Sequence, residues 1–193
     1  MAGNTFYLMR HGHSQANAEG IICSNLSKGR LAYGLTSMGR EQVGATVEDM
    51  WIGGHWHQDC VIMASPFLRT IQTAEIVAEV LGLEEIEQDE RMRERFFGAL
   101  DGGPDSQYQQ VWDLDQKNPK HTQWQVESVA KVAQRGCDMV HELNERYQDR
   151  IVILVAHGDI CSILATALSD QNLCHHRQLH PLATGTCMCL SNL

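Results

Sequence analysis

"FYLMRHGHSQAN", residues 6–17, sets four apolar or aromatic side chains immediately ahead of Arg10, His11 and Gly12. A short, continuous apolar run is the pattern of a strand covered on both faces, so the arginine–histidine pair is expected at that strand's carboxyl end. Two further runs end in the same manner. "VIMA" at 61–64 leads into Ser65 and then Arg69, and "IVILVA" at 151–156 leads into His157 and Gly158.

Between these runs the hydrophobic period becomes helical. Val129, Val132, Ala133, Val140, Leu143 and Tyr147 recur at spacings near 3.6 and predict a helix over about 127–147. A second is expected from Pro66 to Leu81, with Ser65 as N-cap, Pro66 at the first helical position and Gly82 just past the end. A third follows Thr36 as N-cap, places Val43, Val47, Met50 and Trp51 on one face, and stops at Gly53–Gly54. Strands alternating with helices define the expected fold class as α/β, a three-layer α/β/α sandwich around a mainly parallel central sheet. One domain is expected over residues 1–193. Ligands of such sheets bind outside the carboxyl ends of the strands, so the residues following the three runs should meet at one edge.

Composition narrows the partners. A net charge of −9 argues against a nucleic-acid-binding face, so any phosphate site must be local. No stretch approaches the roughly 18 apolar residues of a membrane helix. "MAGNTFYLMRHG" has neither a basic leader with a long apolar run nor a small-residue cleavage site, and the expected compartment is the cytoplasm. Cys23, Cys60, Cys137, Cys161, Cys174, Cys187 and Cys189 lack CxxC spacing and read as reduced, mostly buried thiols, the last two on one face of a terminal strand. His55, His57, His175, His176 and His180 have no Cys or carboxylate at ligand spacing and read as surface-loop residues rather than metal ligands.

Arg10, His11, Arg69 and His157 at one edge, where helix N-termini also point, suit a phosphoryl group. Arginine offers a planar fork matched to phosphate oxygens, and helix N-termini offer free N–H groups. Neutral imidazole adds a nucleophile, provided one ring nitrogen is held protonated so that the other presents its lone pair.

Five ordered segments carry a resemblance. "LMRHGHSQAN", "LTSMGREQ" at 35–42, "SPFLRTIQTA" at 65–74, "RMRERFFGALDG" at 91–102 and "VAHGD" at 155–159 resemble the histidine phosphatase superfamily, named for its RHG motif, which includes the cofactor-dependent phosphoglycerate mutases. The resemblance covers nearly the whole chain and implies the phosphoglycerate mutase-like form of the sandwich. It implies His11 as nucleophile, Arg10, Arg69 and His157 as phosphate clamp, and Glu94 as proton donor to the leaving group. Asn17 and the Gly158 backbone N–H would be further phosphate contacts. It implies no metal and no cofactor, and a small phosphorylated metabolite as partner; a homo-oligomer is compatible with it. The bland alternative for Glu94, flanked by Arg93 and Arg95, is a surface salt bridge.

Departures from the family pattern matter as much. His13 stands where Glu or Gln is common and would add a titrating group to the pocket. Asp159 follows the second His-Gly, where a neutral residue is usual, and reads as the N-cap of "ICSILATAL"; facing the pocket instead, its charge would oppose phosphate binding. The stretch 18–34 is longer than its counterpart in the mutases and would line the substrate mouth, with Lys28 and Arg30 either meeting an anionic substrate or solvated. Mutases need a long insertion after the acid segment and a C-terminal tail. Here only residues 103–126 precede the next helix and the chain ends at "TCMCLSNL", so an acid-type histidine phosphatase is expected. Mutase activity and a catalytically weak phospho-ligand-binding module are the alternatives.

Overall fold

The structure is a computed structural model and describes residues 3–190. Its five strands are β1 (Thr5–Arg10), β2 (Val61–Ala64), β3 (Glu87–Gln88), β4 (Ile151–Ala156) and β5 (Cys187–Cys189). The helices are α1 (Gln15–Glu19), α2 (Leu26–Gly29), α3 (Ser37–Ile52), α4 (Leu68–Leu81), α5 (Tyr108–Asp115), α6 (Val129–Arg146), α7 (Gly158–Leu168) and α8 (His176–Leu179). The strands form one sheet in the order β3-β2-β4-β1-β5, parallel except for β5, which runs antiparallel to β1.

The continuous apolar runs are explained by burial on both faces. In β1, Phe6 and Leu8 join a core cluster with Val132, Leu143 and Leu164, while Tyr7 and Met9 join one with Val43, Val47, Val77 and Leu81. Helices α6 and α7 therefore cover one face, and α3 and α4 the other. β4 repeats the alternation, with Val152, Leu154 and Ala156 on the first face and Ile153 and Val155 on the second. In β5, Cys187 and Cys189 pack together on the α3–α4 side and Met188 on the opposite side, the one-face placement expected of them. Residues 191–193 of the expected terminal strand lie outside the described residues.

Helix ends follow local chemistry. Thr36 caps α3, its hydroxyl accepting from the Gly39 N–H at 3.1 Å, and Gly82 ends α4 in the left-handed conformation at φ 67°, where glycine carries no Cβ penalty. The helix expected over 127–147 is capped by Ser128 and runs Val129–Arg146. On α3, Val43 and Val47 are fully buried, whereas Trp51 at the helix end is 39% exposed.

Two expected caps are corrected. Helix α4 begins at Leu68 after Phe67, which makes no side-chain cap; Ser65 is instead turned towards His157, its Oγ 2.8 Å from Nε2. Helix α7 begins at Gly158 with His157 in the cap position, so Asp159 lies inside the first turn. There its charge complements the helix dipole, while its side chain is engaged elsewhere. Among the described residues, no helix is long and apolar enough to cross a membrane.

Candidate active site

In the sheet order β2-β4-β1 the three strand ends are neighbours, which brings Ser65 and Arg69, His157 and Gly158, and Arg10 and His11 to one crevice. The chain leaves β1 through a tight crossing: a Cβ on Gly12 would lie 2.3 Å from the Gly39 carbonyl of α3. Only glycine fits that approach. Ser14 then starts α1 with a reciprocal capping box to Asn17, presenting the α1 N-terminus over the crevice.

His11 is 3% exposed and its two nitrogens have opposite partners. Nδ1 sits 2.7 Å from the Gly12 carbonyl, and Nε2 receives the Arg69 Nε–H at 3.0 Å. A carbonyl can only accept and a guanidinium can only donate, so Nδ1 must carry the hydrogen and Nε2 the lone pair. Burial, reinforced by Arg69 and Arg10, lowers the His11 pKa well below its ordinary value. The ring is therefore neutral at physiological pH, and its lone-pair nitrogen, held by Arg69, belongs to a residue that lines the cavity.

Around that nitrogen stand polar groups without protein partners. Arg10 Nε, Arg69 Nη1 and His157 Nδ1 are buried and unbonded, although Arg10 gives Nη1 to the Leu182 carbonyl at 2.8 Å and Arg69 gives Nη2 to Cys23 O at 3.0 Å. Two arginines sharing a buried pocket with unspent donors are held ready for an anion. The His157 ring lies edge-on to His11, 5.3 Å between centroids, and burial, helped by Arg69, lowers its pKa as well. Gly158 begins α7 beneath the Arg10 guanidinium, where a Cβ would come within 3.2 Å of Cζ, and its N–H belongs to the free first turn. Asn17 lines the cavity; Ser14 occupies its Oδ1.

Glu94 completes the constellation. It is 7% exposed, lines the same cavity, and accepts from the Arg95 N–H at 2.9 Å, so it is no surface salt-bridge partner. Burial, followed by the charge of Asp159, raises its pKa to about 7 against the opposing pull of Arg69 and Arg10. A carboxyl so placed holds a proton near neutral pH and can give it up.

The cavity has a volume of about 190 Å³, below the roughly 300–1,000 Å³ of drug-sized ligand sites. Its outer wall comes from residues that the sequence pattern did not single out as binding residues. Tyr108 and Trp112 of α5 stack at 5.3 Å and 6°, and the Arg177 guanidinium lies over the indole at 4.0 Å. Asp159 does line the cavity, accepting from Trp112 Nε1 at 3.2 Å, Arg95 at 3.3 Å and Arg177 at 3.4 Å. Burial would raise its pKa, but Arg177 and Arg95 outweigh that and hold it below its ordinary value. Behind it, Arg95 grips Asp115 with two nitrogens at 2.7 and 2.8 Å, and His121 Nε2 donates to Asp115 Oδ1 at 2.8 Å.

Several expectations for the rim are corrected. His176 is buried at 1% exposure beside Asp115 rather than in a surface loop, whereas His55, His57 and His175 are exposed. His13 does not line the cavity; its ring meets the Thr36 hydroxyl at 3.0 Å. From 18–34 the cavity takes Ile21 and Cys23, while Lys28 turns to Asp101 and Arg30 to Glu90. Neither cation is among the cavity's lining residues.

Comparison with known proteins agrees with this geometry. The model of the histidine phosphatase superfamily (branch 1) matches residues 6–191. The Bacillus subtilis protein named Uncharacterized phosphatase PhoE is 27% identical over 165 residues, 84% of this chain and 76% of its own. Glucosyl-3-phosphoglycerate phosphatase of Mycolicibacterium vanbaalenii is 29% identical over 177 residues, 83% of this chain and 72% of its own. The solved structure of a mycobacterial glucosyl-3-phosphoglycerate phosphatase in complex with VO3 superposes with a TM-score of 0.80 at 25% identity, covering 97% of this chain and 92% of that one. A family match over nearly the whole length, joined to the RHG histidine at the carboxyl end of a central parallel strand, establishes that the chain belongs to the histidine phosphatase superfamily, branch 1.

Proposed function

We propose that this protein is a phosphatase that hydrolyses a small phosphomonoester through a phosphohistidine on His11. The observation that carries the reading is the His11 tautomer: Nδ1–H is held by the Gly12 carbonyl and Nε2 keeps the lone pair, resting on the Arg69 Nε–H, in a pocket where Arg10 Nε, Arg69 Nη1 and His157 Nδ1 are buried and unbonded. Binding alone needs no nucleophile so prepared. In the first step Nε2 attacks phosphorus, the ester P–O bond breaks, and Glu94 protonates the departing alkoxide. Arg10, Arg69, His157 and the Gly158 N–H neutralise the charge that develops on the phosphoryl oxygens. In the second step Glu94, now ionised, takes a proton from water as its oxygen attacks phosphorus, the N–P bond breaks, and phosphate leaves. That the mycobacterial relative was solved in complex with VO3, a phosphoryl mimic, supports an oxyanion-binding reading.

The test is hydrolysis of p-nitrophenyl phosphate, run beside conversion of 3-phosphoglycerate with and without 2,3-bisphosphoglycerate. Phosphate release that falls by at least about 10⁴-fold in His11→Ala, with a phosphorylated histidine trapped on acid-free quenching of the wild type, is expected. Cofactor-dependent isomerisation in excess of hydrolysis would instead assign mutase chemistry. No turnover across a phosphomonoester panel would leave a binding module.

A further inference from the structure

Ser65 and His157 form a pair sealed behind the phosphate clamp. Both are 0% exposed, and the Ser65 Oγ lies 2.8 Å from His157 Nε2. The serine is set in place by its backbone: its N–H donates to the Val155 carbonyl of β4 at 2.9 Å, and its carbonyl accepts from the Thr70 hydroxyl of α4 at 2.7 Å. The imidazole meets the Phe67 ring at 4.7 Å and the His11 ring at 5.3 Å, both edge to face. Among the described residues Oγ has no second partner and Nδ1 has none.

Two hydrogen placements are open to this pair. Burial, reinforced by Arg69, keeps the imidazole neutral, so the ring carries one hydrogen. With that hydrogen on Nε2, the Ser65 oxygen accepts it, and both the hydroxyl hydrogen and the Nδ1 lone pair are buried without partners. With it on Nδ1, the hydroxyl donates to Nε2, and the Nδ1–H alone is left over. Buried polar groups are almost always bonded, so the second placement is the stable one, and the group it leaves unbonded is a donor.

Resting on the phosphatase reading, we infer that Ser65 is a positioning residue for the hydrolysis: its Oγ–H, bonded to His157 Nε2, fixes the tautomer whose Nδ1–H is given to the phosphoryl group. His11 and His157 then carry their hydrogen on the same ring atom and serve with opposite ends. His11 spends Nδ1–H on the Gly12 carbonyl and keeps the Nε2 lone pair, resting on the Arg69 Nε–H, for phosphorus. His157 spends its Nε2 lone pair on Ser65 and keeps Nδ1–H for oxygen. The other His157 tautomer would set a lone pair against phosphoryl oxygens, which only accept, and would lose one of the donors that stabilise the charge developing on them.

The experiment records the His157 ring nitrogens by proton–nitrogen correlation spectroscopy, assigned by the signals lost in His157→Gln, in the free protein and with orthovanadate bound; kcat and KM are measured on p-nitrophenyl phosphate. In the wild type Nδ1 should be protonated and Nε2 not, in both states. In Ser65→Ala both tautomers should be populated, and kcat/KM should fall by about tenfold, mainly through kcat, the factor that one hydrogen bond supplies. Should Ser65→Ala fail to fold, Ser65→Cys, a weaker donor on the same stem, takes its place and is judged by its tautomer. A wild-type ring protonated at Nε2, an imidazolium with orthovanadate bound, an unchanged tautomer in the variant, or a changed tautomer with unchanged kcat would overturn the inference. If no phosphomonoester is hydrolysed, the phosphatase reading fails, and the pair is judged separately by calorimetric titration with orthovanadate. There, binding at least about tenfold weaker in the variant, with the tautomer changed, sustains the role of Ser65 in presenting Nδ1–H, and equal dissociation constants refute it.

Discussion

Arg69 in the cavity wall and Arg95 behind it are both buried guanidiniums, at 4% and 0% exposure, yet their surroundings are opposite. Arg95 is saturated: it grips Asp115 with two nitrogens, reaches Asp159, and gives Nε to the Glu127 carbonyl at 2.7 Å. Arg69 has no carboxylate partner; it holds His11 and the Cys23 carbonyl and keeps Nη1 unbonded. A buried charge is stable when paired and costly when it is not, so the two differ in where the compensating anion comes from. For Arg95 the chain provides it. For Arg69, on the proposed function, the substrate's phosphoryl group would, and this incompleteness is what sets the two arginines apart.

That contrast can be broken by mutation. Arg69→Met should lower kcat/KM by about 10²–10³-fold while the melting temperature holds or rises, because an unbalanced buried cation has been removed; a fall in melting temperature comparable to that of the Arg95 variant would erase the distinction. Arg95→Met should leave Asp115 buried without its arginine and Asp159 with Arg177 alone, and destabilise the fold by about 3–5 kcal/mol. For a chain of this length that is a drop in melting temperature of roughly 10 °C, to be read by calorimetry, and an unchanged value would show that the cluster is dispensable.

The smallest effect concerns pH. Glu94, raised to about 7 mainly by burial, is the proposed acid in its protonated form, while His11 is already neutral well below that pH. kcat/KM should therefore fall by about tenfold per pH unit above roughly 7, and the limb should vanish in Glu94→Gln. The stability sign follows from the same shift. The fold favours the neutral carboxyl, so this contribution is complete below the ordinary value of 4.5 and is lost as pH rises through about 7. Glu94→Gln should accordingly gain on the wild type above that pH, by on the order of 3 kcal/mol. Denaturant midpoints that run parallel from pH 5 to 9 would contradict the buried, ionising carboxyl.

The sequence by itself determined the parallel sheet and the floor of the site. Short apolar runs alternating with helical periods read as strands buried on both faces, and a residue that follows such a strand is carried to its carboxyl end whatever the loops do; that was enough for Arg10, His11 and His157, while Arg69 also needed the first turn of the helix after β2. Local signals were less secure where a side chain had two possible partners. Ser65 reads as a helix cap and Asp159 as another, yet the first meets His157, ninety-two positions away, and the second meets Arg95, Trp112 and Arg177. Only the tertiary structure decided the wall. Trp112, Tyr108 and Arg177 lie in segments whose pattern marks nothing but short helices, and they line the cavity because α5 and the chain after α7, some sixty positions apart, meet at the crevice. Periodicity reports which side of an element is buried; it carries no record of which distant charge will complete a buried carboxylate, since that pairing is set by packing between elements and not by spacing within one.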